Sequence, residues 1–259
     1  MRFTFSKYQG TGNDFIIIDN RDHSVNLTQK QIAQICDRRF GVGADGLMLL
    51  EKHPTLDFNM RYFNSDGNEG SMCGNGGRCL VAFVKSLEII DEETMFNTID
   101  GAHHAFIKQK DIVALQMQDV KKVLKMDGNF FVNTGSPHYV IFSQNIKDID
   151  VYTEGKKIRE SALFAPKGTN VNFVEINNNN LFVRTFERGV ENETLSCGTG
   201  VTAAAICASA GQYTDKNSLD IITRGGKLNV RFQKNTNHSY THVWLTGPAK
   251  FVFKGEFEF

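Results

Sequence analysis

The 259-residue chain is short of several things, and each shortage excludes a class of protein. It has only 4 prolines and no Ser/Gly-rich run, so no flexible tether divides it. It has no excess of either charge: 29 Lys and Arg face 29 Asp and Glu, giving a formal net charge of zero. That balance speaks against nucleic acid or an anionic membrane surface as the main partner. No apolar run approaches the roughly 18 residues of a membrane span, and MRFTFSKYQG at the N-terminus lacks the apolar stretch of a signal peptide. The 5 cysteines are odd in number and follow no secretion signal, so free thiols in a reducing cytoplasm are expected rather than a disulfide framework. What remains is an ordinary globular composition, 41% hydrophobic and 22% charged, long enough for one large or two modest domains.

Hydrophobic patterning predicts many short strands. FIIID (Phe15 to Asp19), LMLLE (Leu47 to Glu51) and FNMRYFN (Phe58 to Asn64) fit that reading, as do FFVNT, YVIF, VNFVEI and LFVRTF further on. The four asparagines Asn177 to Asn180 read as a hairpin connection. TQKQIAQICDRRF predicts a surface helix, with Thr28 as N-cap, Gln31 completing a capping box, and Ile32, Ile35 and Cys36 on one face. The stretches Gly74 to Lys85 and Gly198 to Gly211 predict helices without a polar face in their middle turns, which places them inside other elements.

The two halves resemble each other. Arg61 and Phe63 precede Cys73 by twelve and ten residues, and Arg184 and Phe186 precede Cys197 by thirteen and eleven. Each of these cysteines is followed by Gly-x-Gly and an apolar helix, in MCGNGGRCLVAF and SCGTGVTAAA. Upstream, an Asn enters a strand in NDFIII (Asn13) and again in NVNFVEI (Asn170). Such a domain-scale duplication predicts an α/β (α+β) protein of two pseudo-symmetric domains, each a sheet wrapped around a central helix, with a binding site between them.

A cysteine just before a helix meets unpaired amides and the positive end of the helix dipole, both of which favour its thiolate. The same amides would hold a carboxylate. Two such thiols suit removal of a proton from one face of a carbon and its return to the other. GTGND at Gly10 lacks the spacing of a phosphate-binding loop, and no cofactor motif occurs. Cys36, Cys79 and Cys207 read as inert core thiols. His103 and His104 read as solvated residues of a hairpin, and Asp66 in NSDG reads as turn chemistry. His23, His53, His238 and His242 fit no ligand spacing, so no metal is expected.

The ordered set GTGNDF, GVGAD, FNSDG, MCGNGGRC, GSPH, GTNVNFVEI, ERG and SCGTG resembles the diaminopimelate epimerase family nearly end to end. The resemblance implies a cofactor-independent enzyme interconverting LL- and meso-diaminopimelate, in which Cys73 and Cys197 act as base and acid and Cys73 serves the LL isomer. It implies substrate contacts from Asn13, Asn64, Asn170 and Arg188, with Arg188 on the distal carboxylate, where its planar fork is suited to bidentate pairing. Glu187 would take the ammonium, while Gly74, Asn75, Gly198 and Thr199 would present amides to the reacting carboxylate. His138 falls near the thiol pair by the same analogy. Two positions depart from the family pattern: Gly46 stands where many members carry Gln, and Ser136 where many carry Asn, so another group must fill each place.

The resemblance also implies domain limits of 1–116 plus 248–259 and 117–247, a cytoplasmic location, and a homodimer. Two other functions stay open: racemisation of another amino acid, such as histidine or proline, by a related cysteine pair, and a non-catalytic thiol protein using Cys73 and Cys197 for redox or metal chemistry.

Overall fold

The computed structural model describes residues 2–177 and 180–259. The chain divides into two compact units, 1–115 with 247–259, and 116–246.

Among its described residues the first unit carries β1 (Arg2–Gly10), β2 (Asn13–Asp19), α1 (Gln29–Cys36), β3 (Gly46–Glu51), β4 (Phe58–Asn64), α2 (Gly74–Ser86), β5 (Glu93–Thr98), β6 (Gly101–Gln109) and β7 (Ile112–Gln116). The second carries β8 (Val123–Met126), β9 (Asn129–Asn133), β10 (Pro137–Phe142), α3 (Val151–Arg159), β11 (Asn170–Asn177), β12 (Asn180–Glu187), β13 (Asn192–Thr194), α4 (Gly198–Ala210), β14 (Ser218–Thr223), β15 (Gly226–Lys234) and β16 (Tyr240–Pro248). The chain then returns to the first unit as β17 (Lys250–Glu258), which pairs antiparallel with β1.

The two units repeat one topology. In the first, the strands run β17-β1-β2-β3-β4-β5-β6-β7, with parallel pairing only at β2/β3 and β4/β5. In the second, β8-β9-β10-β11-β12-β14-β15-β16 repeats that alternation, with parallel pairing among the described residues at β10/β11 and β12/β14. Helices α1 and α3 bridge the first parallel pair of each unit, as a parallel connection requires. Helices α2 and α4 occupy the centres, both 13 residues long and buried through their middle turns.

This topology corrects one reading of the repeat. The asparagines entering β2 and β11 look alike, yet β2 corresponds to β10 and β3 to β11. Phe15 pairs with Gly46 as His138 pairs with Asn170, so Phe15 matches His138 and Gly46 matches Asn170. Similar local patterns misled here because strand order is set by non-local pairing.

Local chemistry explains the element ends. Thr28 and Gln31 form the expected capping box at the start of α1. The helix stops at Cys36, short of the predicted DRRF turn, because the Asp37 carboxylate accepts from the amides of Arg39 and Phe40 at 2.7 Å and bends the chain. Asp66 accepts from the Asn68 amide at 2.9 Å, which is the turn chemistry expected of it. Asn177 pairs with Asn180 as a hairpin would require, while Asn178 and Asn179 lie outside the described residues.

Candidate active site

Cys73 and Cys197 occupy the same place in their units. Each is the N-cap of its central helix, with similar extended backbones (φ −99°, ψ 119° and φ −119°, ψ 114°), and neither side chain spends itself on a capping bond. Each sulfur therefore sits where the positive end of a buried 13-residue helix stabilises negative charge. The other three cysteines are buried and free. Burial pushes the Cys36 thiol up to about 12 and raises Cys79 and Cys207 further, which keeps all three protonated and inert.

Around Cys73 the first unit builds a fixed amide array. The Cys73 thiol donates to Asn13 Oδ1 at 3.7 Å, and Asn75 Nδ2 donates to the same oxygen at 3.2 Å. Asn13 is oriented from behind, its Nδ2 donating to Asp45 Oδ2 at 2.6 Å. Arg38 holds both Asp45 and Asp14 at 2.7 Å, and Lys7 joins Asp14 at 2.7 Å. Asn75 Oδ1 accepts from Arg78 Nη2 at 2.9 Å. Arg78 is fully buried, and burial lowers its guanidinium to about 10, which leaves it charged at neutral pH. Asp45 and Arg78 escaped sequence reasoning; a lone arginine inside an apolar helix was the available signal.

Around Cys197 the second unit builds a different array. Thr199 Oγ1 lies 3.5 Å from Cys197 Sγ and 2.9 Å from His138 Nε2. Asn172 Nδ2 donates to His138 Nδ1 at 3.0 Å, and Asn172 Oδ1 accepts from Thr185 Oγ1 at 3.0 Å. Burial holds the imidazole down to about 3, with the charge of Arg188 adding to it, so His138 is neutral. The structure thus joins His138 to Cys197 through Thr199. Asn172 and Thr185 were missed, although Asn170 and Asn172, two apart in one strand, share a face.

The distal candidates fall as follows. Asn170 is buried and internally committed: its Nδ2 donates to Ser136 Oγ and Pro137 O at 2.9 Å each, and its Oδ1 accepts from the Arg188 amide at 2.9 Å. Ser136 is thereby fastened to Asn170, and Arg188 is held at the end of β12 beside Glu187, with Nη1 donating to Lys167 O at 3.4 Å. Asn64 ends β4, exposed, and pairs in register with Gly46. A Cβ on Gly46 would stand 2.5 Å from Tyr62 Cε2, so the Tyr62 ring fills the room a side chain at 46 would need. Gly74 and Gly198 open α2 and α4 as the first residue after each cysteine.

His103 is a correction: it is 7% exposed and packs on Phe96, because the hairpin of β5 and β6 lays it inward. His104 bonds Glu93 at 2.6 Å. Among the described residues, no cluster of three His, Cys, Asp or Glu side chains could hold a metal ion, and no helix is long and apolar enough to cross a membrane.

The sequence profile of the family described as diaminopimelate epimerase matches residues 5–123 and 130–252. A protein of Flavobacterium psychrophilum named diaminopimelate epimerase is 54% identical over 253 residues, covering 96% of this chain and 97% of its own. One of the same name from Chlorobaculum tepidum is 43% identical over 255 residues, covering 95% and 98%. Among solved structures, a Bacillus anthracis phenazine biosynthesis protein of the PhzF family superposes with a TM-score of 0.80 at 13% identity over the full length of both chains. A hydroxyproline epimerase from Agrobacterium vitis gives 0.71 at 12% identity, covering 98% of this chain and 92% of its own. At those identities the two structures testify to a shared fold. Because the profile and both named relatives span almost the whole chain, with each N-cap cysteine inside the match, the chain belongs to the diaminopimelate epimerase family.

Proposed function

We propose that this chain interconverts LL- and meso-diaminopimelate by moving a proton at the α-carbon between two thiols, Cys73 and Cys197, on opposite faces of that carbon. The observation that carries the reading is the placement of both cysteines as N-caps of topologically equivalent helices, in a chain of this family. One thiolate takes the α-proton, the other thiol delivers its own, and the two exchange roles for the reverse direction. The carbanionic intermediate needs its charge stabilised at the α-carboxylate. Amides of Gly74 and Asn75, and of Gly198 and Thr199, lie at the helix ends suited to that work.

The distal carboxylate falls to Arg188, positioned through its amide by Asn170, with Asn13, Asn64 and Asn170 itself as further contacts and Glu187 on the ammonium. His138 and Ser136 act as supports, through Thr199 and Asn170 respectively. The domain limits of 1–116 with 248–259 and 117–247, a cytoplasmic homodimer and independence of any cofactor complete the reading.

A second reading, racemisation of histidine or proline, draws on Gly46 and Ser136, which shorten the side chains at positions where many family members carry Gln and Asn. The test is α-deuterium uptake by purified protein in deuterium oxide with each amino acid in turn. Uptake into diaminopimelate is expected, and its loss by roughly 10²–10⁴-fold in Cys73→Ser or Cys197→Ser with folding intact. Uptake into histidine or proline but not diaminopimelate would overturn the substrate. No exchange, with redox or metal content altered in Cys197→Ser, would overturn the chemistry.

A further inference from the structure

The repeated topology breaks down at the wall behind the thiols. Registering β3 on β11 and β4 on β12 makes Phe15, Met48 and Tyr62 the counterparts of His138, Asn172 and Thr185. In the first unit the wall is two aromatic rings and a thioether, with Phe15 and Met48 both 0% exposed. In the second it is an imidazole, an amide and a hydroxyl, equally buried and joined to one another. Burying three polar side chains where three weakly polar ones fit the same topology costs free energy unless every group is paired.

The pairing has a direction. Asn172 Nδ2 lies 3.3 Å from the Tyr139 carbonyl as well as 3.0 Å from His138 Nδ1, and Asn172 Oδ1 takes the Thr185 hydroxyl. Reversing the amide would set its oxygen against the Tyr139 carbonyl, so the amide is fixed with N–H toward the imidazole. His138 Nδ1 must then accept. A neutral imidazole that accepts at Nδ1 carries its proton on Nε2, where it donates to Thr199 Oγ1 at 2.9 Å. With that oxygen accepting, the Thr199 hydroxyl proton is left to point along the 3.5 Å contact to the Cys197 sulfur.

We propose that Asn172 is a positioning residue for Cys197: it sets the His138 tautomer that turns the Thr199 hydroxyl into a hydrogen-bond donor toward the thiolate. Asn172 touches no reacting atom; it acts through two intermediaries. The low affinity of the buried imidazole for a second proton keeps the relay in one state across the working pH range. Arg188, just past the end of β12, adds its charge to the burial that disfavours a second proton on His138. The inference rests on the two-thiol reading for its catalytic meaning, but the relay exists with or without substrate.

The test therefore reads the thiolate directly. In the Cys73→Ser chain, ultraviolet titration against the Cys73→Ser/Cys197→Ser chain isolates Cys197, because burial keeps Cys36, Cys79 and Cys207 protonated. Adding Asn172→Leu, which removes the amide donor without adding a charge, should free the imidazole from the Nε2–H tautomer and move the Cys197 midpoint up by about one pH unit, a tenfold loss of thiolate at fixed pH. Thr199→Val should move it likewise, and Thr199→Ser should not. Nitrogen NMR of the wild-type imidazoles should find His138 neutral with its proton on Nε2, a result that needs no variant to fold. A proton on Nδ1, or a midpoint unmoved by both Asn172→Leu and Thr199→Val, would overturn the proposal. Diaminopimelate turnover is assayed separately, so a chain with an intact relay and a different substrate would sink the functional reading alone.

Discussion

Gly76 and Gly200 hold equivalent positions, three residues past each N-cap cysteine, and alanine should act differently at the two. Alanine is favoured over glycine in a helix by at most about 1 kcal/mol. At Gly76 a Cβ would meet the Met48 sulfur at 3.2 Å and Phe15 Cε1 at 3.5 Å; a thioether can yield by a few tenths of an ångström. Gly76→Ala should leave stability within about 1 kcal/mol of wild type. At Gly200 the Cβ would stand 2.5 Å from Asn172 Oδ1 and 3.3 Å from Thr185 Oγ1. Asn172 would have to move, and that breaks bonds to Thr185 or His138 inside the core. Overpacking costs about 1–3 kcal/mol, and each buried polar group left unpaired costs about 1–3 kcal/mol more. Against a helix gain of about 1, Gly200→Ala should lose about 1–5 kcal/mol. Urea unfolding of both variants beside wild type measures the difference. A Gly200→Ala protein as stable as wild type, or more so, would refute the packing argument and the relay's rigidity together.

Other consequences are equally concrete. His138 binds its proton only near pH 3 when folded but near about 6.5 when unfolded, so below about 6.5 the unfolded chain holds an extra proton. Stability should be fully present above that pH and fall by up to about 1.4 kcal/mol per unit toward pH 3, and His138→Gln should flatten that part of an unfolding-versus-pH curve. Burial alone would raise Asp14, but Arg38 and Lys7 outweigh it and hold the carboxyl at about 2. Its stabilisation is present above about pH 4 and fades as the pH falls through 2, so Asp14→Asn should cost about 1–2 kcal/mol near neutrality, after discounting for solvent, and little in strong acid. Gly46→Ala should cost about 1–3 kcal/mol in the same assay, because its Cβ would press on the Phe63 carbonyl at 2.6 Å as well as on the Tyr62 ring.

Much of this was legible in the sequence where the determinants are local. The capping box of α1, the alternating strands, and a cysteine before each glycine-opened apolar helix all depend on residues within a few positions of one another. What depends on strand order was not. Asn13 and Asn170 look like repeat partners, yet β11 answers to β3, so the match dissolves once the parallel pairs form. Asn172 reads as one more residue in an alternating strand until β10 and β12 bring His138 and Thr185 against it. His103 reads as solvated because a hairpin's inward face cannot be chosen from its own residues; packing on Phe96 chooses it. The place left by Gly46 is filled by Tyr62, sixteen positions on, through cross-strand neighbours rather than sequence neighbours.

The central claim is that two different thiols serve the two faces of one carbon. Its most direct measurement follows label during the first turnovers of LL-diaminopimelate in deuterium oxide, with recovered substrate and product analysed separately. Separate bases predict a product deuterated at the α-carbon while unreacted substrate stays unlabelled. Equal early labelling of substrate and product, as one shared base would give, contradicts the account.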